Sequence, residues 1–508
     1  MPIDAAKADL LVGIVGTGAM GRGIAQVAAA GGVNVRLFDT NATQSIDAVA
    51  FIERMLGRAA ERGDMTAADV TAAMGRIETV SNLEEITPCD IVIEAVTENV
   101  EVKRSVFAQL ERVLAEDTII ASNTSSLSVT MLASSCRRPE RIAGMHFFNP
   151  VPLMRLVEVI EGMLTEPWVG DALMTLGRRL TREPVRLKDT PGFLVNQVGR
   201  GYNIESQHIQ AEGVASFADI DRILREGAGF RMGPFELLDL TGLDVTHPAT
   251  ELIYEQLYHE PRFRPSAIMQ ARLQAGLLGR KTGRGYYEYE DGRQVVSAEP
   301  APPAYDGRAV WVSRDDPQGH DALRAVLTNL KAPLDEGESP GVGSLILVTP
   351  VGEDVSMAST RQRLDPKRAV GVDTLFGLDS RRTLMTSPAT LQEYRDAAHG
   401  LLSSDGIKAT LIRDCPGFIA QRVIAMICNI GCQIAQSGAA APEDIDRAVV
   451  LGLNYPSGPL AFGDALGAAT VLRILDGLFV FYGDPRYRAS PWLRRRAMLG
   501  MSLLAVEA

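Results

Sequence analysis

A glycine-rich turn between an apolar strand and a helix is the feature that most constrains the fold of this chain. Residues 11–15 form a short apolar run, Gly16-x-Gly18-x-x-Gly21 follows it, and residues 23–30 have a helical pattern. A second strand-like run covers residues 33–39. This order of strand, glycine turn, helix and strand predicts a Rossmann-type α/β sheet that binds a dinucleotide.

Each glycine of the turn has a physical purpose in such a site. Gly16 permits the tight turn, Gly18 lets a pyrophosphate approach the backbone, and Gly21 lets the helix pack closely on the strand. We therefore expect the cofactor to contact this turn at Gly16, Gly18, Ala19, Met20 and Gly21.

The acidic residue that ends the second run, Asp39, indicates which dinucleotide is bound. Its carboxylate can accept hydrogen bonds from ribose hydroxyls and would repel a 2′-phosphate, which predicts NAD rather than NADP. The alternative interpretation is a structural glycine turn beside a solvated aspartate.

Polar residues follow two further apolar runs, residues 89–96 and residues 118–121. Glu98 comes after the first run, and Asn123 and Ser125 come after the second. Because ligands of open parallel sheets bind at the carboxyl ends of the strands, we expect these residues and Asp39 to line one crevice.

His146 and Glu158 are the candidate acid–base pair. Oxidation of a hydroxyl to a ketone needs a base near neutrality, and the unperturbed pKa of histidine, about 6.5, suits that role. Glu158 lies in an apolar segment, where an unpaired carboxylate would be costly, so we expect it to be buried against His146 and to fix the imidazole tautomer. The alternative is that His146 is a core histidine and Glu158 lies on an exposed edge.

Six segments in this order and spacing resemble the 3-hydroxyacyl-CoA dehydrogenase family, from about residue 10 to Tyr289. They are the glycine turn, SNTSS at 122–126, HFFNP at 146–150, LVEV at 156–159, DTPGFLVN at 189–196 and MGPFELLD at 232–239. The resemblance implies an enzyme that oxidises an L-3-hydroxyacyl-CoA to the 3-ketoacyl-CoA with NAD.

The resemblance also implies roles for single residues. His146 would be the base and Glu158 its partner, Ser125 and Asn196 would bind the reacting oxygen, and Asn149 would shape the substrate site. Further cofactor contacts would come from Glu98, Lys103, Asn123 and Ser125. No metal site is expected, and we interpret Cys428 and Cys432 as core residues because no histidine lies near them in sequence.

Two other functions remain as alternatives. One is another β-hydroxyacid dehydrogenase, such as a 6-phosphogluconate-type enzyme or a member of the λ-crystallin group; His146, Glu158 and Asp39 argue against it. The other is a catalytically inactive protein that binds NAD or CoA, and the intact set of Ser125, His146, Glu158 and Asn196 argues against that.

Helical periodicity replaces the strand–helix alternation after residue 188, and part of this helical segment recurs at an offset of 225 residues (414 − 189). DTPGF at 189–193 recurs as DCPGF at 414–418, and DIDR at 219–222 recurs at 444–447. Constant spacing of this kind predicts a duplicated helical domain.

We therefore predict an α/β protein of several domains. They are an NAD-binding Rossmann domain at 1–188, an all-α domain of the 6-phosphogluconate-dehydrogenase type at 189–290, a linker at 291–304, a reduced Rossmann-like domain at 305–413 and a second helical domain at 414–508.

The second half lacks the catalytic set. Asp373 takes the place of the histidine, and Gln421 corresponds to Asn196. We expect its helices to pack on the first helical domain in place of a subunit interface. Chains in two parts like this are similar to the long 3-hydroxybutyryl-CoA and 3-hydroxyadipyl-CoA dehydrogenases of bacterial aromatic (phenylacetate) catabolism.

Surface charge and composition bear on the partners. Arg54, Arg58 and Arg62 recur every four residues in a predicted helix, and they form either a solvated face or a contact with the phosphates of CoA. The formal net charge of -12 argues against nucleic-acid binding. Because the chain has no run of 18 apolar residues and only five cysteines, we expect a cytoplasmic protein without a membrane span. We also expect a homodimer that forms through the helical domains.

Overall fold

The computed structural model describes residues 3–296 and 298–506 as a mixture of helices and parallel strands. The chain divides into two compact units. The first extends to residue 197 and also includes Ser437–Leu453, while the second comprises Val198–Gln436 and the chain from Asn454 onward.

The first unit is built on an eight-stranded sheet. Its strands are β1 Leu11–Val15, β2 Asn34–Phe38, β3 Ile77–Val80, β4 Ile91–Glu94, β5 Ile119–Ser122, β6 Ile142–Phe147, β7 Leu156–Glu161 and β8 Glu183–Lys188. Its helices up to the end of this sheet are α1 Ala19–Ala30, α2 Ala42–Glu61, α3 Ala67–Met74, α4 Val100–Val113, α5 Val129–Ala133 and α6 Pro167–Arg179.

The strand order, β3-β2-β1-β4-β5-β6-β7-β8, places the ends of the central strands together. Strands β1 to β6 run parallel to one another, with Val15 beside Phe38 and Glu94, and Glu94 beside Ser122. The segments that follow these strands therefore meet at one edge, as in nucleotide-binding sheets. β4 and β5 are fully buried, which fits their unbroken apolar sequences.

β7 and β8 run in the opposite direction to the rest of the sheet. β7 pairs antiparallel with β6, which sets Glu158 directly opposite His146, and β8 runs parallel to β7. Register alone thus brings the two predicted catalytic side chains face to face.

The second unit contains a five-stranded sheet and most of the remaining helices. The strands are β9 Tyr289–Glu290, β10 Arg293–Gln294, β11 Val310–Val312, β12 Leu345–Val348, β13 Ala369–Val372, β14 Arg381–Thr386 and β15 Lys408–Arg413, of which β9 and β10 form a separate hairpin. The helices that follow β8 are α7 Val195–Ala211, which begins in the first unit, α8 Phe217–Arg222, α9 Pro234–Thr241, α10 Leu243–Gln256, α11 Ala267–Gln274, α12 Pro317–Asn329, α13 Val355–Gln362, α14 Gln392–Leu401, α15 Ala420–Gln436, α16 Pro442–Leu453, which belongs to the first unit, α17 Pro459–Leu466, α18 Ala468–Tyr482 and α19 Pro491–Leu499. Short connections are the 3-10 turns Leu83–Ile86, Pro139–Arg141, Pro261–Phe263, Arg280–Thr282 and Pro485–Tyr487 and the π-helical turn Ile223–Gly227.

The second sheet repeats the order and directions of the last five strands of the first. Its order is β11-β12-β13-β14-β15, with a single antiparallel pair between β13 and β14. β14, β15, α15 and α17 each begin 225 residues after β7, β8, α7 and α9 (for example 381 − 156). In the described part of the chain, this second sheet has no counterpart of β1 to β3 or of the glycine turn.

Two segments differ from the predicted organisation. α16 and the residues before it belong to the first unit, where α16 packs on β7 and β8 and the Lys188 amide donates to the Ala439 carbonyl at 2.8 Å. The segment predicted as a linker, residues 291–304, contains β10 and also Glu299, whose carboxylate pairs with Arg381 and Lys408. Ser297 of that segment lies outside the described residues.

Within the described ranges, no single helix is long and apolar enough to cross a membrane, although α17 and α18 together, bent by 97°, have the necessary length and composition.

Candidate active site

The glycine turn after β1 has the geometry of a phosphate-binding loop. Gly16 has a φ of +96°, and a Cβ there would lie 2.7 Å from the Ala95 carbonyl oxygen. A Cβ on Gly21 would lie 1.8 Å from the Gly16 carbonyl oxygen, so only glycine lets α1 pack this closely. Gly18 faces open space, because a Cβ there would meet nothing within 4 Å.

The start of α1 is suited to an anion. Gly18 is the N-cap, and no side chain of the described residues caps the helix by a hydrogen bond. The first-turn amides of Ala19 and Met20 therefore belong to a helix terminus that can receive a phosphate group. The five predicted backbone positions of the cofactor site thus lie together in one turn.

Asp39 lies directly after β2 and is held by the same turn. Its Oδ2 accepts hydrogen bonds from the Thr17 amide at 2.8 Å and the Thr17 hydroxyl at 3.1 Å, and its Oδ1 accepts from the Asn41 amide at 3.0 Å. The carboxylate is half-buried, so it is fixed at the edge of the crevice while part of it stays accessible.

His146 and Glu158 form a buried pair. His146 Nδ1 lies 2.7 Å from Glu158 Oε2, and the two residues are 5% and 0% exposed. The other carboxylate oxygen, Oε1, accepts from the backbone amides of Leu194 at 3.0 Å and Val195 at 3.1 Å. Because Nδ1 is held by the carboxylate, Nε2 is the nitrogen that can exchange a proton with a substrate.

The amides that anchor Glu158 come from a strained turn that the sequence reasoning did not assign to the site. Phe193 has a φ of +51°, which is uncommon for a non-glycine residue, and it follows Gly192 at +74°. Asp189 holds the start of this turn by accepting from the Ser128 hydroxyl and the Thr130 amide, both at 2.7 Å. The sequence signal for this feature is the DTPGF segment itself.

Glu98 organises the loop that carries Ser125. Its Oε1 accepts from the Thr124 hydroxyl at 2.7 Å, the Ser125 amide at 2.8 Å and the Ser125 hydroxyl at 3.2 Å. Burial acts to raise the pKa of Glu98, but Lys103 and the bonds from Thr124 and Ser125 outweigh it and lower that pKa. Glu98 is therefore a carboxylate that fixes the Ser125 loop.

Lys103 lies beneath this loop. Its side chain is 1% exposed, and its ammonium group pairs with Glu94 at 2.7 Å and with Glu98 at 3.3 Å. Glu94 also accepts from the Ser122 hydroxyl at 2.6 Å. Lys103 thus supports Glu98 from within the protein. The sequence reasoning did not single out Glu94, although a glutamate at the end of an apolar strand is a signal for it.

The three predicted asparagines occupy different positions. Asn123 Oδ1 accepts from the Phe147 amide at 2.9 Å, which ties the end of β5 to the histidine segment. Asn196 Nδ2 donates to the Ser125 carbonyl at 3.3 Å, so Asn196 and Ser125 are neighbours. Asn149 is exposed and precedes Pro150 through a cis peptide bond.

A groove of about 640 Å³ runs beside the histidine segment in the first unit. Arg22, Arg58 and Arg62 line it, and so does Asn149. Arg54, the third arginine of the predicted stripe, is not among the lining residues. Of the two interpretations of this stripe, a solvated face fits Arg54, while Arg58 and Arg62 face a cavity.

The corresponding place in the second unit has a different chemistry. Asp373 follows β13 and its amide donates to the Thr383 carbonyl at 3.0 Å, so it occupies the position that His146 has opposite Glu158. Its Oδ1 accepts from Gln421 Nε2 at 2.9 Å. Burial raises the pKa of Asp373 to about 6. An aspartate opposite a threonine cannot reproduce the His–Glu pair.

No group of three or more histidine, cysteine, aspartate or glutamate side chains suited to a metal ion occurs among the residues that the structure describes.

Two family models match this chain. The model described as 3-hydroxyacyl-CoA dehydrogenase, NAD binding domain, matches residues 11–190. The model described as 3-hydroxyacyl-CoA dehydrogenase, C-terminal domain, matches residues 192–289 and 417–502. The second model therefore covers both sets of helices that are 225 residues apart.

Individual proteins match over nearly the whole chain or over about half of it. 3-Hydroxyadipyl-CoA dehydrogenase of Escherichia coli K12 is 36% identical over 96% of this chain and 97% of its own length. The crystal structure of 3-hydroxybutyryl-CoA dehydrogenase from Escherichia coli K12 matches with a TM-score of 0.86 and 35% identity, covering 97% of this chain and 98% of that one. The mitochondrial hydroxyacyl-coenzyme A dehydrogenase of Sus scrofa is 41% identical over 55% of this chain and 91% of its own length.

These matches cover the glycine turn, the His146–Glu158 strand pair and both helical segments, and the chain belongs to the NAD-dependent 3-hydroxyacyl-CoA dehydrogenase family.

Proposed function

We propose that this chain oxidises an L-3-hydroxyacyl-CoA to the corresponding 3-ketoacyl-CoA, with His146 as the general base. The observation that carries this proposal is the buried pair of His146 and Glu158, whose carboxylate is fixed at both oxygens. Nε2 takes the proton of the substrate hydroxyl, and the Glu158 carboxylate stabilises the imidazolium that results.

Hydride acceptance from the carbon that carries the hydroxyl group is the chemistry that bound NAD would supply. Gly16, Gly18 and Gly21 leave space for its pyrophosphate at the start of α1, and Asp39 binds the adenosine ribose. Glu98, Lys103 and Asn123 complete this side of the crevice: Glu98 and Asn123 contact the cofactor, and Lys103 keeps Glu98 ionised and in place.

Ser125 and Asn196 bind the reacting oxygen in this proposal. Their proximity supports it, since the Asn196 amide reaches the Ser125 carbonyl, and Glu98 fixes the Ser125 loop. Hydrogen bonds to the oxygen orient the substrate hydroxyl toward His146 Nε2. Asn149 shapes the entrance next to the groove that it lines.

The CoA moiety binds in the groove beside the histidine segment. Arg22, Arg58 and Arg62 supply positive charge there, and guanidinium groups bind phosphates through paired hydrogen bonds. The volume of about 640 Å³ suits a ligand of this size. A relative that matches nearly the whole chain is named 3-hydroxyadipyl-CoA dehydrogenase and a similar solved structure 3-hydroxybutyryl-CoA dehydrogenase, which supports short-chain substrates of these classes. A role in aromatic (phenylacetate) catabolism belongs to the same proposal and rests on the resemblance of the two-part chain.

A spectrophotometric assay tests the reaction. Purified protein with acetoacetyl-CoA and NADH should consume NADH, and 3-hydroxybutyryl-CoA with NAD should produce it. Tight NADH binding without turnover would favour the alternative of an inactive binding protein. Turnover of a free β-hydroxyacid but not of its CoA thioester would favour another β-hydroxyacid dehydrogenase.

The domain boundaries and the assembly are part of the same proposal. The boundaries at 188 and 413 are supported by the ends of β8 and β15 at Lys188 and Arg413, and the boundary at 290 by the end of β9 at Glu290. A cytoplasmic location is supported by the low cysteine count.

A homodimer through the helical domains is supported by the exposed apolar side chains Phe479, Val480 and Phe481 on α18, and light scattering should give twice the chain mass.

A further inference from the structure

Arg182 is a half-buried arginine whose guanidinium is held by backbone carbonyl groups. It lies just before β8, and its Nη1 donates to the carbonyls of Val151 at 3.1 Å, Pro152 at 3.4 Å and Met154 at 2.9 Å. Its Nε donates to the Leu180 carbonyl at 3.1 Å. Four uncharged groups therefore fix the guanidinium without neutralising its charge.

Among the described residues, no carboxylate forms an ion pair with Arg182. Burial lowers the pKa of its guanidinium, and the positive charge of Arg155 lowers that pKa further. Arg155 itself pairs with Glu183 at 2.7 Å. Arg182 thus adds an uncompensated positive charge to its surroundings, and such a charge favours the binding of an anion.

One nitrogen of Arg182 remains available to a ligand. Nη2 has no acceptor in the described part of the chain, and it is not one of the buried polar atoms that lack a partner there, so it contacts solvent. Arg182 lines the groove of about 640 Å³, together with Val151 and Pro152, whose carbonyls hold the guanidinium. The accessible N–H groups of Arg182 therefore belong to the wall of this groove.

The loop that supplies these carbonyls is itself fixed. It joins β6 to β7, and Val151 in it is 1% exposed. Val151 packs on α1 at Gly23, where a Cβ would lie only 2.9 Å from the Val151 Cβ. The guanidinium of Arg182 is therefore preorganised, so little conformational entropy is lost when it binds a ligand.

The arginines of α2 that line the same groove are less constrained. Arg58 and Arg62 are exposed, and Arg62 pairs with Asp64 at 2.9 Å. Such side chains lose rotamer freedom when they bind a phosphate, and water and salt screen their charges. Of these three arginines, Arg182 should therefore contribute the most to the affinity of the groove for a phosphate group.

The phosphates of CoA, a diphosphate and a 3′-phosphate, are all in its nucleotide part, whereas the acyl and pantetheine parts carry none. We propose that Arg182 binds a phosphate group of this nucleotide and thereby determines the preference of the enzyme for CoA thioesters over pantetheine thioesters. This inference rests on the proposed function and identifies the residue by which the groove recognises phosphate.

Two substrates test this assignment: acetoacetyl-CoA and S-acetoacetylpantetheine, which has the same reacting group and no phosphate. Arg182→Gln should lower the CoA-to-pantetheine ratio of kcat/KM by about tenfold, the effect of one charge-assisted hydrogen bond. The loss should lie in the KM for acetoacetyl-CoA, because the phosphates do not take part in the reaction. Arg182→Lys keeps the positive charge and should keep most of the preference.

Salt dependence and a matched control separate phosphate binding from a structural role. The KM for acetoacetyl-CoA should rise with NaCl concentration in the wild type, and less steeply in Arg182→Gln. Loss of the carbonyl contacts alone would affect both thioesters and leave their ratio unchanged. The control is Arg155→Gln, because Arg155 is paired with Glu183 and is not one of the residues that line the groove, so this variant should keep the wild-type ratio.

Calorimetric binding of CoA and of NADH makes the possible failures distinguishable. An unchanged ratio in Arg182→Gln, or an equal loss with both thioesters, would overturn the phosphate assignment and leave the proposed reaction intact. Weaker binding of NADH with unchanged binding of CoA would assign the guanidinium to the cofactor, which also overturns it. Absence of turnover, with CoA binding that weakens in Arg182→Gln, would contradict the proposed reaction and support the phosphate assignment.

Discussion

His146 is the residue on which turnover depends in this mechanism. We predict that His146→Gln lowers kcat by about two to four orders of magnitude, because a general base contributes about that much. NAD affinity should change little, since the glycine turn and Asp39 do not contact the imidazole. Steady-state kinetics and a fluorescence titration with NADH measure the two quantities.

The control for this variant is His259→Asn, which changes an exposed histidine with a positive φ to a residue that tolerates the same backbone. It should keep wild-type turnover. Wild-type turnover in His146→Gln would show that another group is the base.

The buried carboxyl group of Asp373 leads to a second prediction, which concerns the stability of the protein. Burial raises the pKa of this carboxyl from 3.8 to about 6, so ionising it in the folded state has a cost that grows as the pH rises from about 4 to 6 and is constant above. Asp373→Asn should therefore increase the free energy of unfolding at pH 8, by about 1–3 kcal/mol. It should have little effect near pH 4.

Urea unfolding of both proteins at pH 4 and pH 8 measures this difference. The amide of the variant still offers an oxygen to Gln421 Nε2, so the hydrogen bond is retained. An equal change at the two pH values would mean that the titration of Asp373 does not contribute.

Among the elements, the β1–α1 turn is the most sensitive to substitution. In Gly21→Ala, the new Cβ would lie 1.8 Å from the Gly16 carbonyl oxygen, so the turn must open. We predict loss of most NAD binding and a decrease in Tm of several degrees, measured by calorimetry with and without NAD.

Gly57→Ala is the matched control, because this glycine lies within α2 and a Cβ there would meet nothing within 4 Å. Alanine should stabilise the helix by about 0.5–1 kcal/mol and leave NAD binding unchanged. The prediction for Gly21 would be wrong if both variants bound NAD equally well.

The sequence predicted a strand correctly where that strand had a simple apolar pattern. β1 matches the apolar run at 11–15 that predicted it, and β2 and β4 lie within the runs at 33–39 and 89–96. β14 was not predicted, because it begins with Arg381 and Arg382, which hydropathy places at the surface. Both are buried, and carboxylates that are distant in sequence neutralise them.

The sequence likewise identified only some of the residues that form the candidate site. The glycine turn, His146 and Glu158 could be identified because each has a characteristic sequence context. The amides of Leu194 and Val195 could not, because their role depends on a backbone turn.

At the scale of the whole molecule, a buried ion cluster joins the two copies of the helical segment. Glu205 of α7 pairs with Arg422 of α15 and with Arg486, and Arg422 also pairs with Glu212. The first helical segment thus receives its charged partners from the second segment of the same chain. That the second half replaces contacts between subunits stays a prediction.

We predict that Glu205→Gln lowers the free energy of unfolding at pH 7 by about 3–5 kcal/mol, because it leaves the buried Arg486 without its carboxylate and removes one of the two carboxylates that pair with Arg422. Burial acts to raise the pKa of Glu205, but Arg486 and Arg422 outweigh it and lower that pKa to about 2. The wild-type protein should therefore lose about 3 kcal/mol as the pH falls from 4.5 to 2, and the variant should lose less.

Chemical unfolding between pH 2 and pH 7 measures both effects, with Glu255→Gln on the exposed face of α10 as control. A variant as stable as the wild type would show that the cluster does not hold the segments together.

The anchoring of Glu158 by the first turn of α7 has a consequence for the nascent protein. Glu158 is bound both by the first-turn amides of α7 and by His146. The imidazole can therefore be aligned only when the start of that helix has formed. A chain synthesised only to the end of β8 lacks both of these amides, so the orientation of Glu158 is fixed only after Val195 has been added.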